Sequence, residues 1–493
     1  DNIAINNCQL IRYRFVATVW QHFVTNGKPA RRHARNQKSL ILHQVKKAIM
    51  GFFENTFGFE ESNYSLAQKN LLDRATFSYA PPTPTRDYWQ EHCSFELPNG
   101  PNKGTRQISA GTFSFPSVEQ LRSGVQNEID LLLDHRKQQQ GAPMCSSTTQ
   151  QTTITVRNMI GEARSMHLEP FAGILGKTSE YSSEEDFPPE NHYVFQAASQ
   201  FNLLEFPSPN TTPEAGIGGY IYDRTQGPAC AIACAAGTAY RNYLVPMMKD
   251  DGSRNESSTN PTIQRRGQTK NWQLNGLQLV EDYLKTSTNL QKVPWTVKNG
   301  YMEGKKRSMV ELNALLESDP QLHDELLSRL QIGIQEDVTV TDCPTTTAST
   351  TATADAAVKP AGEEESFLVT QTYNSAISIG YSRLPNELWT PMAKIVLEAT
   401  YEATLLVAIL KAIQFAYLQQ EQDNNNNNPK TVTVLLTKVG GGVFRNDDSW
   451  ICQAMKRGID QVEKLVTKPY GIGLDIRIVH FGGIQPEYMP LER

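Results

Sequence analysis

Two glycine clusters in this chain have the neighbours that anion chemistry needs. The first lies in "TTPEAGIGGYIYDRTQGPACA", residues 211–231, and the second in "VLLTKVGGGVFRNDDSW", residues 434–450. Gly216, Gly218 and Gly219 let the backbone take conformations closed to other residues and come close to a bound group. Amides in such turns form an anion nest, and the helix after Gly227 adds a favourable dipole. Gly440, Gly441 and Gly442 stand between a strand and a second helix start. Two such turns could clamp the two phosphates of a diphosphate from opposite sides, as in a nucleotide pocket. Tight turns without a ligand are the other reading.

Around these turns sit groups able to move protons. Asp223 follows the first cluster and precedes the helix, where it suits a helix cap. Arg224 and Gln226 would fix it or reach a phosphate. Asn446, Asp447 and Asp448 read first as a cap that complements the helix dipole, second as catalytic groups. Glu398 and Glu402, one turn apart in an apolar helix, read first as braces that accept backbone N–H bonds from the glycine loops and second as an acid/base pair, since two buried carboxylates need partners. Lys438 reads first as a strand-end lysine facing water and second as a nucleophile or phosphate contact, and His480 as a core histidine before a proton carrier.

The elements that must position these residues divide the chain. Residues 1–145 look mainly helical, with three- and four-residue apolar spacing in "LHQVKKAIMGFFENTF" and in "SVEQLRSGVQNEIDLLLDHRKQQQ". From about 152 to 485 strands alternate with helices: "TTITVRNMIG", "HYVFQAASQFNLLEF", "ESFLVTQTYNSAISIGY", "KTVTVLLTKVGGG" and "LDIRIVHFGG" read as strands, and "TPMAKIVLEATYEATLLVAILKAIQFAYLQQ" as a long buried helix. The alternation predicts an α/β fold with a mixed or parallel sheet covered on both faces. A helical insertion is expected at about 272–331. The polar stretches 249–270, 337–365 and 422–429 read as surface loops.

Composition narrows the function classes. A net charge of -5 with 39% hydrophobic and 20% charged residues describes a globular protein and argues against a nucleic-acid binder. The basic stretch over residues 1–50 is the exception and leaves an RNA- or protein-binding scaffold as a third reading. Seven cysteines without paired metal-ligand spacing suggest reduced thiols, no structural metal and a cytoplasmic or nuclear setting. Cys230 and Cys234 read as core. The apolar run at Ala403–Leu418 is broken by Lys411 and is too short to span a bilayer.

The strand, glycine loop and second glycine loop together resemble the macro domain, a three-layer α/β/α module that binds ADP-ribose. The resemblance covers about 155–245 and 365–485. It implies that Glu162, in "MIGEARSM", contacts adenine and that Asn202 orients the distal ribose. Gly218, Gly219 and Tyr220 would form the first phosphate loop. Gly440, Gly441, Gly442, Val443 and Phe444 would form the second, with its aromatic end against ribose. Members of that family read ADP-ribose marks or remove them. The resemblance therefore implies an ADP-ribosylhydrolase cutting at the distal ribose, or a non-catalytic reader, with ADP-ribose or an ADP-ribosylated protein as partner, no membrane and no cofactor. Such a cut needs a general acid/base or nucleophile near the ribose C1″, and Asp223 and Asn202 are the expected catalytic residues, with Asp223 in that role. Gly227, Arg224, Gln226 and Asn446 complete the expected binding set.

Overall fold

The structure, a computed structural model, describes residues 51–98, 104–139, 153–171, 187–188, 191–247, 265–290, 292–341, 367–421, 431–466 and 472–493. The basic stretch 1–50 lies outside the described residues, as do most of the expected loops at 249–270, 337–365 and 422–429. The chain forms two compact units, 1–62 and 63–493. In the first, the described residues hold one helix, Gly51–Phe57, where Phe53 packs on Phe57 and Phe59 with ring centroids 4.7 and 5.3 Å apart.

The second unit is built on a nine-stranded mixed sheet. In chain order its strands are β1 (Ala75–Ala80), β2 (Gln90–Pro98), β3 (Thr105–Ser114), β4 (Thr153–Ile160), β5 (His192–Ala198), β6 (Gly333–Thr339), β7 (Leu368–Asn374), β8 (Thr431–Leu436) and β9 (Gly473–His480). Across the sheet the order is β1-β2-β3-β6-β7-β5-β8-β9-β4. Pairing is antiparallel from β1 through β7 and parallel from β7 to β4.

The helices α1 (Tyr64–Leu72), α2 (Val118–Gln139), α3 (Gln226–Ala233), α4 (Gln278–Ser287), α5 (Lys306–Ser318), α6 (Pro320–Arg329), α7 (Asn386–Glu421) and α8 (Asp448–Leu465) flank the sheet. Successive strand residues point to opposite faces, and two cores result. Val194, Val434, Leu436, Ile476 and Ile478 pack with α2, α7 and α8 on one face. Tyr193, Phe195, Leu435, Val338 and Cys234 form the other, beside α3. The expected α/β fold with a mixed, doubly covered sheet is therefore present.

One expected boundary moves. Residues 1–145 read as mainly helical in sequence, yet residues 75–114 form three strands of the main sheet. Exposure alternates over the first four residues of β1, where Thr76 and Ser78 face water. Such strands look like loop or helix flank in sequence, and become strands through a chain of pairings that ends on β6. The insertion at 272–331 carries α4, α5 and α6, and also a hairpin, Trp295–Lys298 with Tyr301–Gly304.

Candidate functional site

All five parallel strands finish at one edge of the sheet, where open α/β sheets bind ligands. A cavity of about 490 Å³ lies there. That is room for a small molecule. The segments leaving the strands build its walls: Gly161 and Glu162 after β4, Ser199 and Gln200 after β5, Ala376 after β7, Thr437 to Phe444 after β8, and Phe481 after β9. Asp223, Arg224, Gln226 and Gly227, at the start of α3, complete it. Two glycine segments far apart in the chain thus share one cleft.

The close approach at Gly227 is specific. A Cβ there would lie 1.9 Å from the Ala198 carbonyl oxygen and 3.2 Å from Glu205 Cγ, so only glycine lets α3 begin against the end of β5. Gln226 fastens the same junction: its side-chain oxygen accepts from Ala198 N at 2.7 Å and its amide donates to the Gln196 carbonyl at 2.7 Å. That amide is spent on the strand. Gly440 has φ +77, and a Cβ would meet Ala376 Cβ at 2.4 Å. Asn446 holds this turn by donating its amide to the Ile377 carbonyl at 2.8 Å.

Three rings tie the two sides together. Tyr301, Tyr381 and Phe444 pack edge-on with centroids 5.2 to 6.0 Å apart. Tyr301 donates its hydroxyl to the Phe206 carbonyl at 2.6 Å, and Tyr381 to that of Pro207 at 3.3 Å. The loop after β5 is thereby hung on the second glycine turn. At the rim, Phe481 is 87% exposed.

The charged groups differ in availability. Asp223 accepts from Thr225 N at 2.9 Å and from the Thr225 hydroxyl at 2.7 Å, so one of its oxygens organises the turn into α3. Glu162 caps the short helix Ala163–Met166 by accepting from Arg164 N and Ser165 N. Glu205, 1% exposed, also lines the cavity. Arg241 reaches its Oε1 at 3.3 Å, while Oε2 has no hydrogen-bond partner. Burial pushes the Glu205 carboxyl up to about 7, against the opposing pull of Arg241 and Tyr220.

Of the residues expected from sequence, the cavity brings together Glu162, Asp223, Arg224, Gln226, Gly227, Gly440, Gly441, Gly442, Val443 and Phe444. Asn202, Gly218, Gly219, Tyr220 and Asn446 are not on its wall. Asn202 lies beyond the end of β5, fully buried, with its amide on Gln273 at 2.8 Å and its oxygen on Leu204 N. Gly218–Tyr222 forms a 3-10 turn that sends Tyr220 inward, where its phenol oxygen accepts from Glu205 N at 3.0 Å. Asn446 supports the second loop from behind.

The remaining candidates have structural partners. Glu402 accepts from Arg122 of α2 and Arg457 of α8, and Glu398 from His323 and Arg457. These glutamates bind helices to one another rather than bracing the glycine loops, because arginine side chains reach them first. Asp447 caps α8 through Ser449 N at 2.8 Å. Lys438 is held by Asp448 and Gln485 instead of facing water alone. His480 is buried against Asn158, and Cys230 and Cys234 are buried thiols. Among the described residues no His/Cys/Asp/Glu group could hold a metal ion, and no helix is long and apolar enough to cross a membrane.

Sequence reasoning missed Glu205, Tyr301, Tyr381 and Phe481. A lone carboxylate in the apolar run "FNLLEF" is a signal for Glu205; the two tyrosines come from distant segments and give none.

By fold and site this is a three-layer mixed α/β protein with a cleft at the carboxyl edge of its parallel strands. No protein-family model matches the sequence, and no curated protein matches it. Among solved structures it is similar to the poly(ADP-ribose) glycohydrolase from Deinococcus radiodurans in complex with ADP-ribose, at 11% identity and a TM-score of 0.28, over 77% of this chain and 91% of that one. It is also similar to the poly(ADP-ribose) glycohydrolase from Thermomonospora curvata, at 13% identity and a TM-score of 0.25, over 76% of this chain and 82% of that one.

Proposed function

We propose that the cleft binds ADP-ribose and that the protein hydrolyses ADP-ribose from modified protein side chains, as expected of a divergent macro-type ADP-ribosylhydrolase. One observation carries the reading: the Asp223–Gly227 segment and the Gly440–Phe444 turn line the same cavity, at the sheet edge where five parallel strands end. The start of α3 and the glycine turn supply amides and a helix dipole for the two phosphates. Phe444 serves a ribose, and Glu162, near the end of β4, serves the adenine side. Asp223 is a half-buried acid on the cavity wall beside the first phosphate segment. Cleavage at the distal ribose C1″ proceeds through a transition state with oxocarbenium character and needs such a group.

The test is direct. Calorimetry with ADP-ribose measures binding, and incubation with arginine-, glutamate- and serine-linked ADP-ribosylated peptides measures release. Binding with release that is lost in Asp223→Ala supports the enzyme. Binding without release converts the reading to a non-catalytic reader, which the same amide geometry serves equally well.

A further inference from the structure

Besides Asp223 and Glu162, the cavity holds a third carboxyl, Glu205, that neither the expected catalytic set nor the expected binding set includes. Glu205 comes from the loop after β5 and sits beneath the start of α3, in the space that the missing Cβ of Gly227 leaves open. A purely structural Arg–Glu pair is normally two-pronged, with both carboxylate oxygens bonded. This one is not. Arg241 touches only Oε1, at 3.3 Å, and its guanidinium is otherwise engaged by the Leu203 carbonyl at 2.9 Å, Gln335 Oε1 at 2.9 Å and the face of Tyr373. Leaving Oε2 buried and unbonded costs free energy, so the pair is a poor way to stabilise the fold. A carboxyl in that state is better suited to carrying a proton.

We propose that Glu205 is the proton donor to the leaving group, with Oε2 as the proton-bearing atom and Arg241 as the residue that positions it through Oε1. This rests on the hydrolytic reading of the cavity. As the C1″–O bond breaks, its electron pair stays on the leaving oxygen, which takes the Oε2 proton. Water then adds at C1″ and returns a proton to the Glu205 carboxylate, so the enzyme ends as it began.

The surroundings agree. The carboxyl is raised to about 7 chiefly by burial, which keeps part of it protonated at neutral pH. The other titratable groups around it are Arg241, Tyr220, Tyr373 and Cys230. Burial pushes the last three well up, so they remain neutral and Arg241 is the one charged neighbour.

The proposal makes a chemical demand that a structural role does not. Proton donation matters most for a poor leaving group. Serine-linked ADP-ribose leaves as an alkoxide and needs the proton; glutamate-linked ADP-ribose leaves as a carboxylate and scarcely does. Glu205→Gln should therefore bind ADP-ribose within threefold of wild type by calorimetry. It should lose roughly 100-fold or more in release from the serine-linked peptide, and at most about tenfold from the glutamate-linked one. Equal losses on both substrates, or release from the serine-linked peptide within threefold of wild type, overturns the proposal. Should the variant fail to fold by circular dichroism, the wild-type pH–rate profile decides: serine-linked release should fall as pH rises through about 7, and a flat profile from about pH 5.5 to 8.5 overturns the assignment. Wild type that binds ADP-ribose but releases neither substrate removes the hydrolytic reading and this proposal together. Wild type that does not bind removes the cavity reading itself.

Discussion

Glu205 and Glu336 are both buried glutamates with a basic partner, and neighbouring positions on β6 bear on the two: Gln335 touches the arginine that partners Glu205, and Glu336 is the next residue. Gln335 faces Arg241 on the α3 side of the sheet, whereas Glu336 faces the α7 side. There Lys411 lies 2.6 Å from Glu336 Oε2 and Arg86 lies 2.5 Å from Oε1, so both oxygens are paired with cations. Burial opposes ionisation of Glu336, but Lys411 and Arg86 outweigh it and hold the carboxyl down at about 2. Glu205 has a long contact to Arg241, Tyr220 beside it, an Oε2 without a hydrogen-bond partner and a carboxyl raised to about 7. The first arrangement completes an ion cluster and fixes a permanent charge. The second leaves a buried acid half-satisfied at the edge of a cavity, a state typical of functional sites.

The comparison is most sharply tested at Lys411. Lys411→Met takes away the cation 2.6 Å from buried Glu336 Oε2, leaves that oxygen only Arg86 at 3.4 Å, and should cost about 3–5 kcal/mol in urea unfolding. Glu205→Gln should cost well under half of what Lys411→Met does, because the folded protein gains nothing from a charge at that position. Equal costs would mean that Glu205 is structural in the same sense as Glu336.

Next in size is the junction that admits Glu205. Gly227→Ala sets a Cβ 1.9 Å from a backbone oxygen, which cannot yield as a side-chain tip would. ADP-ribose binding should weaken about 100-fold, or about 2.7 kcal/mol. Gly219→Ala, with nothing within 4 Å of its new Cβ, should bind within threefold of wild type. The reverse order in calorimetry would return the phosphate site to the 216–219 turn.

The two carboxyls also predict opposite responses to pH. Glu336 titrates near 2 in the folded chain against an ordinary 4.5, so its contribution to stability is complete above 4.5 and is lost as pH falls toward 2. Glu205 titrates near 7, so between 4.5 and 7 the folded chain keeps a proton that the unfolded chain has released. Its contribution therefore declines as pH rises through that window and is constant above it. The limiting slope is about 1.4 kcal/mol per pH unit. Unfolding free energies of wild type and Glu205→Gln, measured from about pH 4 to 8, should diverge in that window and run parallel above it. Parallel curves throughout would show that burial does not raise this group.

The smallest effect concerns a carboxylate outside both clusters. Asp447→Ala removes the α8 cap and should lower stability by about 1 kcal/mol in thermal melts, with ADP-ribose binding unchanged. A large loss of binding would move Asp447 into the site.

Much of the scaffold is legible in the chain. The apolar runs that form β5, β8 and α7 bound their elements well, because a segment buried on all sides must be apolar throughout. The cap at Asp447 is equally legible, since capping is local chemistry. The strands at 75–114 are not, because each is partly solvent-facing and owes its identity to partners, as where Phe77 pairs with Cys93. Within the site, Gly227 and Gly440 to Gly442 are legible as glycines placed between a strand and a helix. Asn202 and Tyr220 look like site residues from their positions after a strand and beside glycines, and the fold turns both inward.

The residues alone determined that two glycine segments precede helices, that the sheet is covered on both faces, and that no run of apolar side chains is long enough to span a bilayer. These properties depend on neighbours a few positions away. Whether the two segments share a cleft, which carboxyls touch it and which of them keeps a proton were decided only by the tertiary structure. Desolvation and Coulomb interactions act through space, and the groups that set the state of Glu205 arrive from residues 220 and 241, which the chain order keeps apart.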